Sequence, residues 1–266
     1  MNLLTQILTA GPAARTVVTT FGLAMFLSSA AMAQSSQTDS GAESRWSVGL
    51  GAVTVQKAYR DIDRYNMAVP LLNYENKWVS FSVPKLDIKL YSSQSLSFRL
   101  RARYAGSDGY ESSDSPFLAG MDDRKGSFWA GGAAIWKNNI ANVSAELLGD
   151  ASGNSKGSRF KLQVDRRFEM GSFGLTPRLG VEWYDSKFVD YYYGVKASEA
   201  VVGRSTYQGK SSNGVEAGLR IDYSPARQHN LYLDFGITQY GSAIKDSPLV
   251  EKANQSTVSL GYLYKF

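Results

Sequence analysis

The chain has 266 residues, with 29 Lys and Arg against 24 Asp and Glu, a formal net charge of +5, one histidine and no cysteine. Without cysteine there is no disulfide framework, no thiolate metal site and no cysteine nucleophile. The modest basic excess alternates with acids along the chain, which excludes the clustered basic block of a nucleic-acid-binding protein.

Arg15 is the only charge in the first 33 residues, and the apolar run VVTTFGLAMFLSSAAMA follows it. The run closes on Ala31, Met32 and Ala33. A basic start, a short apolar core and a small-x-small ending predict a signal peptide over 1–33, cleaved after Ala33. Residues 34–44, QSSQTDSGAES, carry too few apolar groups to order themselves and are expected to form a disordered periplasmic lead-in. From residue 45 onward no apolar stretch is long enough to cross a membrane as a helix. An export signal on a disulfide-free chain points to the envelope of a Gram-negative cell.

Residues 45–266 divide into short segments of alternating hydrophobicity. In LSFRLRARY, Leu96, Phe98, Leu100, Ala102 and Tyr104 alternate with Ser97, Arg99, Arg101 and Arg103. In GLTPRLGVEWY, Leu175, Pro177, Leu179, Val181 and Trp183 oppose Thr176, Arg178, Gly180 and Glu182. GVEAGLRIDY and LYLDFGI repeat the pattern, and the chain ends on STVSLGYLYKF. There Val258, Leu260, Tyr262, Tyr264 and Phe266 share one strand face, with Leu263 the apolar exception on the other. Period-two alternation is the mark of a strand with two unlike faces.

Strands are predicted near 45–56, 66–74, 78–84, 86–91, 95–105, 126–137, 140–149, 158–168, 173–184, 212–223, 229–240 and 256–266. A soluble sandwich would share the period. Two features favour a transmembrane antiparallel β-barrel of about 12 strands instead. Trp46, Trp78, Trp136, Trp183, Tyr223 and Tyr264 sit near segment ends, where aromatic girdles meet the membrane interface. Short connections (75–77, 92–94, 138–139, 169–172, 224–228) alternate with long ones (57–65, 106–125, 150–157, 185–211, 241–255), as periplasmic turns alternate with extracellular loops. An even count puts both ends on the periplasmic side, and closure requires the last strand to pair with the first. Reading 78–91 as one strand would give eleven and invert the later loops.

Several groups carry candidate chemistry. Arg99, Arg101 and Arg103 form a lumen-facing row, with Asp87 and Lys89 beside it. Arg159, Lys161, Asp165 and Arg167 form another, then Arg178 and Glu182, then Glu216, Arg220 and Asp222. These charges either line a selective pore or fill a narrow barrel with ion pairs. Arg166 points to lipid near the periplasmic end, where its head group can snorkel. Tyr191, Tyr192, Tyr193, Arg204 and Tyr207 in the 185–211 loop suit a binding surface, or a loop folded inward onto the lumen. Scattered loop acids (Asp108, Glu111, Asp114, Asp122, Asp123) make no calcium site. His229, beside Arg227 in the YSPARQHN turn, reads as a solvated turn histidine rather than a general base. No cofactor is expected.

The loop segments DSPFLAGMDDRKGSF, DYYYGVKASEAVVGRSTYQ and KDSPLV, with the early VPLLNYEN, resemble the MipA/OmpV family of outer-membrane proteins over essentially the whole expected mature chain, 34–266. The most specific piece is Tyr192 to Val195 with Glu199, Ala200, Gly203, Arg204 and Tyr207. The resemblance implies an outer-membrane barrel without catalytic activity; separately, the ending on Phe266 resembles the C-terminal signal read by the barrel assembly machinery, and the wall is expected to contact lipid and lipopolysaccharide. The family resemblance also implies a scaffold joining a lytic transglycosylase to a murein synthase, for which Arg227, His229 and 34–44 are the candidate periplasmic contacts. A narrow solute or ion channel and a loop-borne adhesin are the alternatives.

Overall fold

The computed structural model describes residues 44–266 apart from position 63. The expected signal peptide, and the lead-in up to residue 43, lie outside the described residues. The strands are β1 (Arg45–Gln56), β2 (Tyr65–Glu75), β3 (Val79–Ser82), β4 (Lys85–Ser92), β5 (Leu96–Ala105), β6 (Ser127–Lys137) and β7 (Asn142–Asp150). They continue as β8 (Ser158–Asp165), β9 (Phe168–Met170), β10 (Phe173–Tyr184), β11 (Ser212–Ala226), β12 (His229–Tyr240) and β13 (Asn254–Lys265). Each pairs antiparallel with its neighbour, and β13 returns to β1 with Val48 opposite Tyr264 and Thr54 opposite Val258.

β8 and β9 are one strand of the wall. Both pair with β10, and the register is unchanged across the break at Arg166 and Arg167. The cause is Pro177, which lies opposite. Its carbonyl accepts from the Arg166 N–H at 3.3 Å, but proline has no N–H to return. The wall is therefore a closed barrel of twelve strands. Closure is what lets it sit in hydrocarbon, where an open edge would cost several kcal/mol per unpaired backbone group.

The two faces follow the alternation. Leu179 is 65% exposed and Leu50 71%, while Arg178 is 4% and Asp87 0% exposed. The outward face is apolar and meets lipid. Its ends carry aromatic pairs such as Trp46 with Tyr74 at 4.4 Å and Phe173 with Tyr223 at 4.8 Å. Leu263 does point inward. It packs with Val53, Val55, Val69, Leu71 and Tyr232 into an apolar lumen patch centred on β1 and β2. The chain end is tied down, since the Phe266 N–H donates to the Trp46 carbonyl at 3.0 Å.

Differences from the expected boundaries are small but informative. Strand β11 runs on to Ala226, so the 224–228 turn shrinks to Arg227 and Gln228, and the 169–172 turn to Gly171 and Ser172. The 78–91 stretch is two strands, joined by Val83 and Pro84 alone. The 185–211 connection is not an open loop. It begins with α1 (Ser186–Tyr193), capped by the Asp185 carboxylate accepting from the Phe188 N–H at 2.8 Å. This is the carboxylate cap that helix N-termini favour.

The long connections pack together over the extracellular mouth. Tyr59, Tyr110, Leu118, Met121, Phe188, Val189, Tyr192, Tyr193, Ile244 and Leu249 form one buried cluster with the lumen-facing Trp129, Leu148 and Tyr184. Phe188 stacks on Tyr184 at 4.7 Å and lies against Trp129 and Tyr192. A short helix α2 (Ser242–Lys245) contributes Ile244. These loops form an apolar plug seated on the barrel wall.

Candidate functional site

Below the plug the lumen holds charge in pairs. β4 places Asp87 opposite Arg101 of β5. The Asp87 carboxylate accepts from Arg101 Nε at 2.8 Å and from Arg99 at 3.2 Å. Arg101 turns its remaining nitrogen to Glu146 of β7 at 2.7 Å. Arg103 lies 3.1 Å from Glu146 and 3.6 Å from Glu182, so it reaches across from β5 to β10. Glu182 also accepts from Arg159, whose other side meets Asp108 of the plug at 2.8 Å. One chain of alternating charge thus runs from mid-barrel to the loops.

A second chain adjoins the first, running from β8 across β10 and β11 to β12. Lys161 donates to Glu216, which also accepts from Arg178 at 3.1 Å. Arg178 grips Asp234 of β12 bidentately at 2.9 and 2.8 Å. The guanidinium can lie flat there because residue 218 is glycine, where a Cβ would come within 2.3 Å of the Arg178 guanidinium carbon. Nearer the periplasm, Asp222 takes Arg167 at 2.8 Å and Arg220 at 3.1 Å, and Lys89 pairs with Glu75. Fixed ion pairs of this kind fill space and order the wall.

Of the loop candidates Tyr192, Tyr193 and Arg204 are buried, and Tyr191 and Tyr207 are half-buried. Tyr192 is 0% and Arg204 1% exposed. Tyr192 donates to the Lys125 carbonyl at 3.1 Å, and Tyr59 reaches the Tyr192 carbonyl at 3.1 Å. Arg204 donates to the carbonyls of Phe117, Ala119 and Glu199, and Tyr207 to that of Ala243. Tyr193 stacks on Tyr59 at 5.3 Å. These side chains hold loops to one another.

Glu199 and Arg124 form the central ion pair of the plug, at 2.8 Å. Burial works against the Glu199 carboxylate, but the N–H groups of Lys196 and Asp122 and the Arg124 guanidinium hold its pKa below the usual range. A depressed acid contributes stability that is present above its unfolded pKa of about 4.3 and is lost as pH falls through the folded value. The plug is therefore expected to loosen below about pH 4, seen as rising proteolysis of the 185–211 loop, and Glu199→Gln should loosen it already at pH 7. Lys57 is buried nearby, and burial lowers its pKa against the pull of Asp114, Asp108 and Glu111.

At the periplasmic rim, Arg227 is exposed and His229 half-buried. His229 Nδ1 lies 2.8 Å from the Tyr262 hydroxyl. Among the described residues no cluster of His, Cys, Asp and Glu could hold a metal ion.

Sequence reasoning did not join several of these groups to their partners. Glu146 sits in NVSAELLGD, where alternation is weak because Leu148 on the same face packs under the plug. Asp234 was visible as a lone acid on the lumen face of β12, but nothing local joins it to Arg178. Asp108 and the Arg124–Glu199 pair lie in loops, where no periodicity orients a side chain.

The family model described as MltA-interacting protein MipA matches residues 48–266. The MltA-interacting protein of Escherichia coli K12 is 28% identical over 238 residues, covering 85% of this chain and 92% of that protein. The putative outer membrane protein YiaT of the same organism is 27% identical over 226 residues, covering 84% and 92%. OmpV of Vibrio cholerae is 24% identical, covering 84% and 88%. Among solved structures, an outer membrane channel from Pseudomonas putida F1 is similar at 13% identity and a TM-score of 0.42, covering 86% of this chain and 97% of that one.

Proposed function

Because this outer-membrane barrel belongs to the MltA-interacting protein MipA family, we propose that it is a non-enzymatic scaffold for a peptidoglycan-remodelling enzyme at the inner face of the membrane. The observation that carries the reading is the ion-paired lumen beneath a packed plug. A barrel so filled acts through its rims. The partner class is a lytic transglycosylase, the kind of enzyme for which the E. coli relative is named, with a murein synthase as its second guest. Phe266 serves as the assembly signal in this reading, and lipid and lipopolysaccharide surround the wall.

The periplasmic surface is small. A specific interface needs about 800 Å² per partner, so the turns alone must be supplemented by the 34–44 lead-in. Photo-crosslinking in cells from position 228, between Arg227 and His229, is expected to recover a lytic transglycosylase. Arg227→Glu with His229→Ala, or deletion of 34–44, should reduce that recovery about tenfold while heat-modifiable migration shows the barrel intact. Recovery of only lipopolysaccharide and assembly factors would overturn the scaffold reading.

A further inference from the structure

The wall is not of even height. The β3–β4 hairpin stops well short of the top of β2. β3 has four residues, and β2 pairs with it only through Asn73, Tyr74 and Glu75. The hairpin tip closes at Val83 and Pro84, with a last contact from the Val83 N–H to the Leu72 carbonyl at 3.2 Å. On the far side, the Tyr104 N–H donates to the Pro84 carbonyl, also at 3.2 Å. Above that tip, β2 continues from Leu71 to Tyr65 with no strand on this side among the described residues, although its other edge pairs with β1 throughout. β4 keeps pace with β5, Lys85 standing opposite Arg103 two residues before β5 ends at Ala105, so the opening lies between the upper half of β2 and the start of the β5–β6 loop.

The gap has a roof and a lining. Lys57 donates to the Gly109 carbonyl, Tyr59 to that of Asp108 at 2.9 Å, and Ser115 to that of Arg60. These contacts bridge the β1–β2 and β5–β6 loops above the opening. Beside it lie Met67, Val69 and Leu71, which continue with Val53 and Val55 as the apolar patch of the lumen. The patch and the opening therefore stand at the same level, in the outer half of the membrane.

The backbone along the edge adds a second requirement. Since the Leu72 carbonyl faces β3, alternation turns the polar groups of Asn66, Ala68 and Pro70 to the same side. Pro70 offers a carbonyl but no N–H, a substitution typical of strand edges that must not recruit another strand. The edge thus presents more acceptors than donors at a depth where water is scarce.

We propose that this lateral opening is a lipid site. It takes an acyl chain of an outer-leaflet lipid that bears hydroxyl or amide groups, with the hydrocarbon against the half-buried Met67 and the polar groups hydrogen-bonded to the β2 edge. The chain fills the gap and satisfies the edge. This site is independent of the scaffold role.

The test places a photo-reactive residue, Met67→p-benzoylphenylalanine, in the protein reconstituted in vesicles of phosphatidylethanolamine and lipid A. Thr257 on the unbroken part of the lumen and Leu179 on the lipid face are replaced likewise as references. Position 67 is expected to give lipid adducts like position 179, and position 257 none. Lipid A, whose chains carry hydroxyl and amide groups, should be enriched at 67 at least threefold over its share at 179. Lengthening the hairpin by three residues before Val83 and three after Pro84 should bring position 67 down to the level of 257. Absence of adducts at 67 in the native hairpin overturns the opening, and equal lipid shares at 67 and 179 overturn the polar selectivity. Both comparisons stand even if the lengthened hairpin fails to fold.

Discussion

Asp87→Asn is expected to destabilise the barrel by about 3–5 kcal/mol, the cost of leaving buried charge uncompensated. Asp87 is fully buried and is the shared acceptor for Arg99 and Arg101. Asparagine keeps the shape but removes the negative charge and one acceptor, so two guanidinium groups are left with Glu146 as the nearby acid. Urea unfolding of the refolded barrel in micelles measures the loss. The double variant Asp87→Leu with Arg101→Met provides the control. Replacing both members of a buried pair by apolar groups is often near neutral, so the double variant should recover much of the stability. If the single variant is as stable as the native chain, the lumen charges are solvated and the filled-barrel picture fails.

Phe188→Ala with Tyr192→Ala should open the extracellular mouth. Each ring is buried in the plug against the barrel wall, Phe188 between Tyr184 and Trp129, and Tyr192 beneath Tyr191 at 4.8 Å. Large-to-small changes of this kind cost about 3–5 kcal/mol each, more than a loop segment held by one helix is expected to spare. Planar-bilayer recordings should show a native barrel near baseline and a variant with frequent, noisy openings. A variant as closed as the native chain would mean that the ion pairs around Arg103 and Glu182, rather than the plug, seal the lumen. In that case Arg103→Ala becomes the opening substitution. Either result bears on the scaffold reading, because a barrel that conducts freely without its plug has a lumen built to be gated.

The strands were legible because their signal is local. Leu96 to Tyr104 and Leu175 to Trp183 alternate residue by residue, and a period of two assigns each side chain to a face without knowledge of any neighbour. The same holds for the rows of Arg99, Arg101 and Arg103, and for the inward Leu263. Short turns between such segments then dictate antiparallel order, the even count and the pairing of the last strand with the first. The loop motifs carried the family.

What lay beyond reach depends on groups distant in the chain. No local rule couples Arg178 to Asp234, or Arg103 to both Glu146 and Glu182, because those distances follow from how the closed sheet curves. The burial of Tyr192 and Arg204 required four loops to meet over one mouth; their residue types suit either a binding surface or an inward-folded loop, and the folded chain makes them the ties of a plug. Pro70 and Pro177 look alike as prolines within strands. Only the paired sheet separates them: Pro177 interrupts a continuous neighbour, whereas Pro70 borders a gap left by a hairpin that stops short. The amino-acid sequence by itself determined the barrel, its membrane-facing side and its family, since alternation and motif are properties of neighbouring residues. The tertiary structure alone decided which charges neutralise one another, what closes the mouth and where the wall is open, since each of those is set by contacts between strands and loops far apart along the chain.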